Sequence, residues 1–324
     1  MYERYGSPEV VQLRDVERPT PAGDELLVKV HAASVNRADL DGLAPRPSFV
    51  KLFMGMKAPK PSFQRVGVDV AGVVEAVGPE VTRFKVGDRV LSDLSAHGQG
   101  AFADYVSVTE KAFQPIDPAV SFEAAAALPH SAILAIQGFR RRDGRTIKAG
   151  DKVLIDGASG NVGPFAVQIA KQLGAEVTGV ASTAKLDFVR SLGADHVIDY
   201  TKVDYTRGAE RYDWIVDTDS HHSILRVRRA LKPNGTYVTL GGTAWPIVGA
   251  LVLGPLISLF SDRWSGLLLW WKPFDPGDVA RLNELVASGA VKPAIDRSYP
   301  LDQLVDALRY VNDGHNKGKV IITP

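Results

Sequence analysis

Two rhythms of apolar and polar positions divide the chain. Up to about residue 125, short apolar runs alternate with turn-forming residues. Glu25-Leu26-Leu27-Val28-Lys29-Val30 and Ala71-Gly72-Val73-Val74-Glu75-Ala76-Val77 have the spacing of strands, and turn signals such as Gly87-Asp88 separate them. From Lys152 the pattern changes. Val153-Leu154-Ile155 is wholly apolar, as a strand buried on both faces requires. A glycine-rich turn follows, then a helical stripe of Val162, Phe165, Ile169 and Leu173 that starts around Pro164 and ends at Gly174. Strands are predicted at Glu176–Val180, His196–Tyr200, Trp214–Val216 and Thr236–Leu240, with a short helix through Phe188, Val189 and Leu192. Strand–helix alternation at this spacing predicts a doubly wound parallel sheet. The tail carries two helical patterns, Val279–Ala287 and Asp302–Tyr310, and a last strand, Lys319–Thr323. The tail is too short for a domain of its own and is expected to complete the first one. The expected fold is therefore α/β, with a β-rich domain of residues 1–125 completed by 272–324 and a dinucleotide-binding domain of residues 126–271.

One apolar run departs from both rhythms. Pro246–Phe260 is nearly free of polar residues, and Leu267–Trp271 follows after Ser261-Asp262-Arg263. A membrane-spanning helix needs about 18 such residues in succession. This run is shorter and contains Gly249, Gly254 and Pro255. It is expected to be a lid or a homodimer contact, with peripheral membrane contact as the alternative.

Composition narrows the function. Lys and Arg total 38 against 37 acids, a net charge of +1, which lacks the basic excess of a nucleic-acid binder. The chain has no cysteine, which removes disulfides, thiolate nucleophiles and the soft ligands of structural zinc, and fits a cytoplasmic location. The start, Met1-Tyr2-Glu3-Arg4-Tyr5, has no apolar core behind a basic segment, so no signal peptide is expected.

The strongest motif is Gly157-Ala158-Ser159-Gly160-Asn161-Val162-Gly163, between a predicted strand and a predicted helix. Glycines let backbone approach a pyrophosphate, and the helix N-terminus offers N–H groups and partial positive charge. The spacing is G-x-x-G-x-x-G, so the common fingerprint is met only in part. After the second strand, an NAD binder carries an acid for the ribose hydroxyls. Here the chain reads Ala181-Ser182-Thr183-Ala184-Lys185, with no acid before Asp187. Hydroxyls and a lysine suit a 2′-phosphate, so NADPH is the expected cofactor.

With these pieces in order, the chain resembles the zinc-independent, quinone oxidoreductase-like branch of the medium-chain dehydrogenases/reductases. The resemblance runs through Gly67-Val68-Asp69-Val70-Ala71-Gly72-Val73-Val74, Phe84-Lys85-Val86-Gly87-Asp88-Arg89-Val90 and Gly100-Ala101-Phe102-Ala103-Asp104-Tyr105. It continues through Ala127-Leu128-Pro129, the Gly157–Gly163 turn, Leu192-Gly193-Ala194-Asp195 and Gly318-Lys319-Val320. It implies a GroES-like β-barrel substrate domain beside a Rossmann domain, with the cofactor in the cleft between them. Cofactor contacts are implied for Ser159, Gly160, Asn161, Val162, Ser182, Thr183, Lys185, Tyr200, Leu240, Gly241 and Lys319.

Zinc members of the superfamily use a cysteine and a Gly-His-Glu; the matching stations here are Asn36 and Gly67-Val68-Asp69, so no catalytic metal is expected. The resemblance puts Asn36 and Asp39 at the cleft floor, Asn36 as a donor to the substrate oxygen and Asp39 chiefly as an orderer of its loop. His130, just after Pro129, is a second candidate donor. The chain departs from many relatives at Asp41, where they carry tyrosine, and at Leu134, where they carry threonine. The implied activity is hydride transfer from NADPH to a small-molecule carbonyl substrate, an enone or quinone, without metal. The alternatives are an enoyl-thioester or aldehyde reductase, and a non-catalytic NADPH-binding sensor or scaffold. Affinity for nucleic acid is not expected.

Overall fold

The computed structural model describes residues 1–45, 50–268, 272–273 and 275–324. It divides into two units, residues 1–131 with 295–324, and residues 132–294.

The first unit is built on a mainly antiparallel sheet. It comprises β1 (Glu25–Val35), α1 (Arg37–Leu43), α2 (Lys51–Met54), β2 (Asp69–Val77), β3 (Arg89–Asp93), β4 (Tyr105–Thr109), β5 (Phe113–Pro115), α3 (Phe122–Ala126) and the first turn of α4 (Pro129–Gly138). Strand β1 pairs antiparallel with both β2 and β4, and its register against β2 slips at Leu27/Val28 and Val30/Ala32. Such irregularities bend a long strand and let one sheet wrap round a core. That core includes Leu26, Val28, Val35, Val70 and Phe113.

The second unit holds β6 (Lys152–Asp156), α5 (Gly163–Gln172), β7 (Glu176–Ala181), α6 (Leu186–Ser191), β8 (His196–Asp199), β9 (Tyr212–Asp217), α7 (Ile224–Val227), β10 (Leu231–Thr239), α8 (Ala244–Leu259), β11 (Trp264–Leu267) and α9 (Pro276–Ala287). Its strands lie in the order β8-β7-β6-β9-β10-β11, every pair parallel. Counted from β6, this is the order 3-2-1-4-5-6 of a doubly wound dinucleotide fold, with its switch point between β6 and β9. The chain then returns to the first unit as β12 (Ile295–Pro300), α10 (Leu304–Asn312) and β13 (Lys319–Thr323), and β13 pairs antiparallel with β1.

The expected domain limits shift at both joins. Residues 272–294, expected with the first domain, belong to the second unit. Asp278 of α9 forms a two-point ion pair with Arg140 and accepts from Gln137 Nε2, while Gln168 Nε2 donates to the Lys292 carbonyl. The first unit also keeps the chain as far as Ser131, beyond the expected limit at residue 125. The run Pro246–Phe260 lies in α8 up to Leu259 and ends on its C-cap Phe260, and Leu267 ends β11; the rest of the expected Leu267–Trp271 run lies partly outside the described residues. Among the described residues no helix is long and apolar enough to cross a membrane.

Candidate active site

In the second unit, the Gly157–Gly163 turn joins the end of β6 to the start of α5, at the switch point where such sheets bind ligands. Two of its glycines answer to packing. Gly157 has φ +77°, and a side chain there would strike Thr218 Oγ1 at 2.4 Å. A Cβ on Gly163 would lie 2.3 Å from the Gly157 carbonyl oxygen. Gly160 has only that same carbonyl near its Cβ position, at 3.5 Å, so the middle of the turn is open to an incoming group. Ser159 is buried within the turn, and Asn161 and Val162 are half-buried. The residues expected to cradle a pyrophosphate are thus together, on a helix N-terminus whose dipole favours an anion.

The expected adenosine edge follows β7. Ser182 and Lys185 are half-buried there, Thr183 is exposed, and Tyr200 is 61% exposed beyond β8. An acid that the sequence reading overlooked also stands at this edge. Asp199, the last residue of β8, accepts from the hydroxyls of Thr183 and Thr201 and lies 3.5 Å from Lys202 Nζ. Those hydroxyl donors hold its pKa down at about 2. Its signal was the alignment of strand ends, which no count along one strand supplies. Leu240 and Gly241 follow β10; Gly241 accepts from Ser220 N at 3.0 Å and from Thr239 Oγ1 at 3.1 Å.

The first unit holds a closed polar cluster drawn from distant parts of the chain. Lys319 Nζ, at the start of β13, donates to Asn36 Oδ1 at 2.6 Å, Asp69 Oδ2 at 3.2 Å and Ser131 Oγ at 3.2 Å. Lys319 was expected at the cofactor; instead its ammonium is wholly buried in this cluster, where desolvation pulls its pKa down against the pull of Asp69. Asn36 corrects a second expectation. Its amide nitrogen donates to Asp69 Oδ2 at 2.9 Å and to the Ser34 carbonyl at 3.3 Å, and the residue is 1% exposed. Both amide hydrogens are committed internally, so Asn36 presents no donor to a substrate. Asp39 accepts from the backbone N–H of Asn36 at 2.7 Å and of Gly67 at 3.0 Å, as a residue that orders its loop does. Burial raises its pKa to about 7.

His130 differs from these. It opens α4 with its backbone N–H on Asp69 Oδ1 at 2.9 Å and its Nδ1 against Asp93 Oδ2 at 2.9 Å, and its side chain keeps 12% exposure. Burial works against charging the ring, but Asp93 and Asp69 outweigh it, so its pKa is raised. Asp93, opposed by burial, is lowered by His130 and by the Ser95 hydrogen bonds. An imidazole held against a carboxylate can give and take a proton near neutral pH. Among the described residues no three His, Asp or Glu side chains gather with the geometry of a metal site.

A mainly antiparallel β unit and a doubly wound unit with a glycine turn at its switch point give the chain the architecture of a two-domain dehydrogenase or reductase. Known proteins agree. Residues 22–118 match the family model "Alcohol dehydrogenase GroES-like domain", and residues 192–322 match "Zinc-binding dehydrogenase". The chain is 31% identical to the 2-methylene-furan-3-one reductase of Solanum lycopersicum, covering 100% of this chain and 78% of that protein. It is also 31% identical to a chloroplast envelope quinone oxidoreductase homolog of Arabidopsis thaliana, covering 100% and 97%. Among solved structures, the Coxiella burnetii quinone oxidoreductase superposes with a TM-score of 0.85 at 27% identity, over 100% of this chain and 98% of that one. The Escherichia coli quinone oxidoreductase complexed with NADPH gives 0.83 at 25% identity, over 100% and 98%. The chain belongs to the medium-chain dehydrogenase/reductase family, in its quinone oxidoreductase type. One family description names zinc; this chain carries Asn36 and Val68 at the positions that resemble the cysteine and histidine ligands of the zinc members.

Proposed function

We propose that the protein is an NADPH-dependent, metal-independent reductase of small enones or quinones. The carrying observation is the open phosphate turn at the sheet's switch point, in a family whose relatives include reductases of this kind. When bound, NADPH supplies a hydride to an already electrophilic carbonyl compound. On this reading Ser159, Gly160, Asn161 and Val162 hold the pyrophosphate, Ser182, Thr183, Lys185 and Tyr200 hold the adenosine phosphate, and Leu240 and Gly241 border the nicotinamide. His130 delivers the proton that the reduced substrate takes up, with Asp93 holding its ring in place. The cluster of Asn36, Asp69, Ser131 and Lys319 fixes the backbone from which His130 acts. Because the chemistry asks only for a hydride and a proton, no Lewis acid enters.

The test is NADPH consumption against enones, quinones, aldehydes and enoyl thioesters, repeated with NADH. Turnover of enones or naphthoquinones with preference for NADPH is expected. Preference for an enoyl thioester or aldehyde would move the substrate class, and tight NADPH binding without turnover would make the protein a sensor or scaffold.

The exposed side of α8 is the proposed homodimer contact: Trp245, Leu259 and Phe260 are 84%, 76% and 90% exposed. A soluble monomer seldom shows so many large apolar groups together. A dimer in light scattering supports that reading, and sedimentation with lipid vesicles would favour peripheral membrane contact instead. A cytoplasmic place of action rests on the absence of cysteine alone.

A further inference from the structure

We infer that Asp156 and Asp217 share a proton beneath the phosphate-binding turn, and that this proton is part of what holds an anionic dinucleotide there. The inference rests on the nucleotide site proposed above. Asp156 ends β6 and Asp217 ends β9, and the two are direct register partners in neighbouring parallel strands. Such partners stand about 4.8 Å apart and point to the same face. Like-charged carboxylates so close cannot both ionise cheaply out of water, and one keeps its proton.

Among the described residues, the ionisable base that faces the pair is the His221 imidazole, which opposes the rise of Asp156. Asp217 is fully buried and accepts from Ser220 Oγ, from Tyr237 Oη at 3.0 Å and from Asp219 N at 3.2 Å. The Tyr205 phenol lies against Asp156 from the segment after β8. The other titratable neighbours are Asp219 and His221 in the loop after β9, joined to each other at 3.3 Å. Neither acid has a lysine or arginine in ion-pair contact among the described residues. Desolvation and the partner's charge raise Asp156 well above the ordinary carboxylate range; desolvation alone leads for Asp217, which reaches about 6.

The pair is also joined to the candidate cofactor contacts on both sides. Asp156 is the residue before Gly157, and the Thr218 hydroxyl donates to the carbonyls of Asp156 and Gly157 at 2.9 and 3.3 Å. Ser220, which donates to Asp217, hands its own N–H to the Gly241 carbonyl at 3.0 Å. A phosphate diester arriving at the turn brings negative charge over this pair. A protonated pair accepts that charge, and a doubly ionised pair repels it. Linkage fixes the sign: the anion favours the protonated form, so affinity is greatest at low pH and falls as pH rises from about 6.

The test is the dissociation constant of NADH, read by its fluorescence between pH 5.5 and 8.5. NADH serves because it lacks the 2′-phosphate, which titrates in the same range. Wild type should weaken by up to about tenfold per pH unit where one proton is linked. Asp156→Asn, which cannot ionise, should bind with little dependence on pH, and His221→Gln should keep the wild-type slope. A cooperative unfolding transition for each variant shows that it is folded. An Asp156→Asn slope equal to wild type, or a slope abolished by His221→Gln alone, overturns the inference. Absence of NADH and NADPH binding by wild type at every pH would overturn the nucleotide site itself.

Discussion

Each unit buries carboxylates beside the residues that matter, and the two solve the cost differently. In the first unit, Asp69 meets the Lys319 ammonium at 3.2 Å and Asp93 meets His130 at 2.9 Å. In the second, Asp156 faces Asp217 with hydroxyls around them. A basic partner compensates a buried carboxylate and makes the cluster rigid but dependent on each member. A shared proton leaves the local charge free to respond to pH and to an incoming anion. The difference suits the proposed roles, since one unit must hold a proton donor in place and the other must admit a polyanion.

The widest break in this comparison is Lys319→Met. Removing the ammonium leaves the Asp69 carboxylate without its cation in a dry interior and takes one of two donors from Asn36 Oδ1, at a cost of about 3–5 kcal/mol in urea unfolding. A loss under about 1 kcal/mol would mean that water reaches the cluster and that the cation is dispensable.

His130→Gln acts on chemistry instead. It should lower kcat by about 100-fold at neutral pH, with a smaller change in KM, as loss of a general acid does. His130 needs its proton, and its pKa is raised, so wild-type rate should persist above 6.5 and fall as pH climbs through the folded value. Asp93→Asn removes a main cause of the raised pKa and should move that fall to lower pH. An unmoved profile would detach the pair from the reaction.

The contrast also explains what could be read along the chain. The parallel sheet, the glycine turn after β6 and the helix from Gly163 follow from local apolar spacing and glycine placement, and all form where expected. The cluster around Lys319 was hidden because its members, Asn36, Asp69, Ser131 and Lys319, are assembled only by the pairing of β1 with β2 and β13. For that reason Lys319 was assigned to the cofactor and Asn36 to the substrate. The carboxyl pair had a visible trace: Val153-Leu154-Ile155-Asp156 and Trp214-Ile215-Val216-Asp217 are both apolar strands ending in aspartate. Only the register of β6 against β9 makes them neighbours. Helix α9 was misassigned because its tie to the second unit is Asp278 on Gln137 and Arg140, residues too distant in sequence for any pattern to link.

Asp156→Asn tests stability in the pair itself. An acid whose folded pKa is raised lets the native state hold extra protons between its unfolded and folded values. Stability therefore falls as pH rises from about 4 through the folded pKa of the pair. The variant should match wild type near pH 4 and exceed it by on the order of 2 kcal/mol at pH 8. Lower stability than wild type at pH 8 would show that the ionised pair is compensated by groups other than those named.

A third carboxylate gives the smallest effect and a finer comparison. Asp199 is neither paired with a buried cation nor protonated; the hydroxyls of Thr183 and Thr201 keep it charged at the edge where the adenosine phosphate is proposed to lie. A 2′-phosphate arriving there meets one fixed negative charge, so its binding must lean on nearby lysines. Lys202 sits 3.5 Å from Asp199, and Lys185, half-buried after β7, is the cation proposed to answer the phosphate. Lys185→Ala should weaken NADPH binding about tenfold, the scale of one charge-assisted contact in partial solvent, and leave NADH binding unchanged. Raising the salt concentration should shrink the gap between the two proteins, because the lost contact is electrostatic and partly exposed. Equal losses for both nucleotides would mean that Lys185 supports the loop rather than the phosphate, and the preference for NADPH would then need another source.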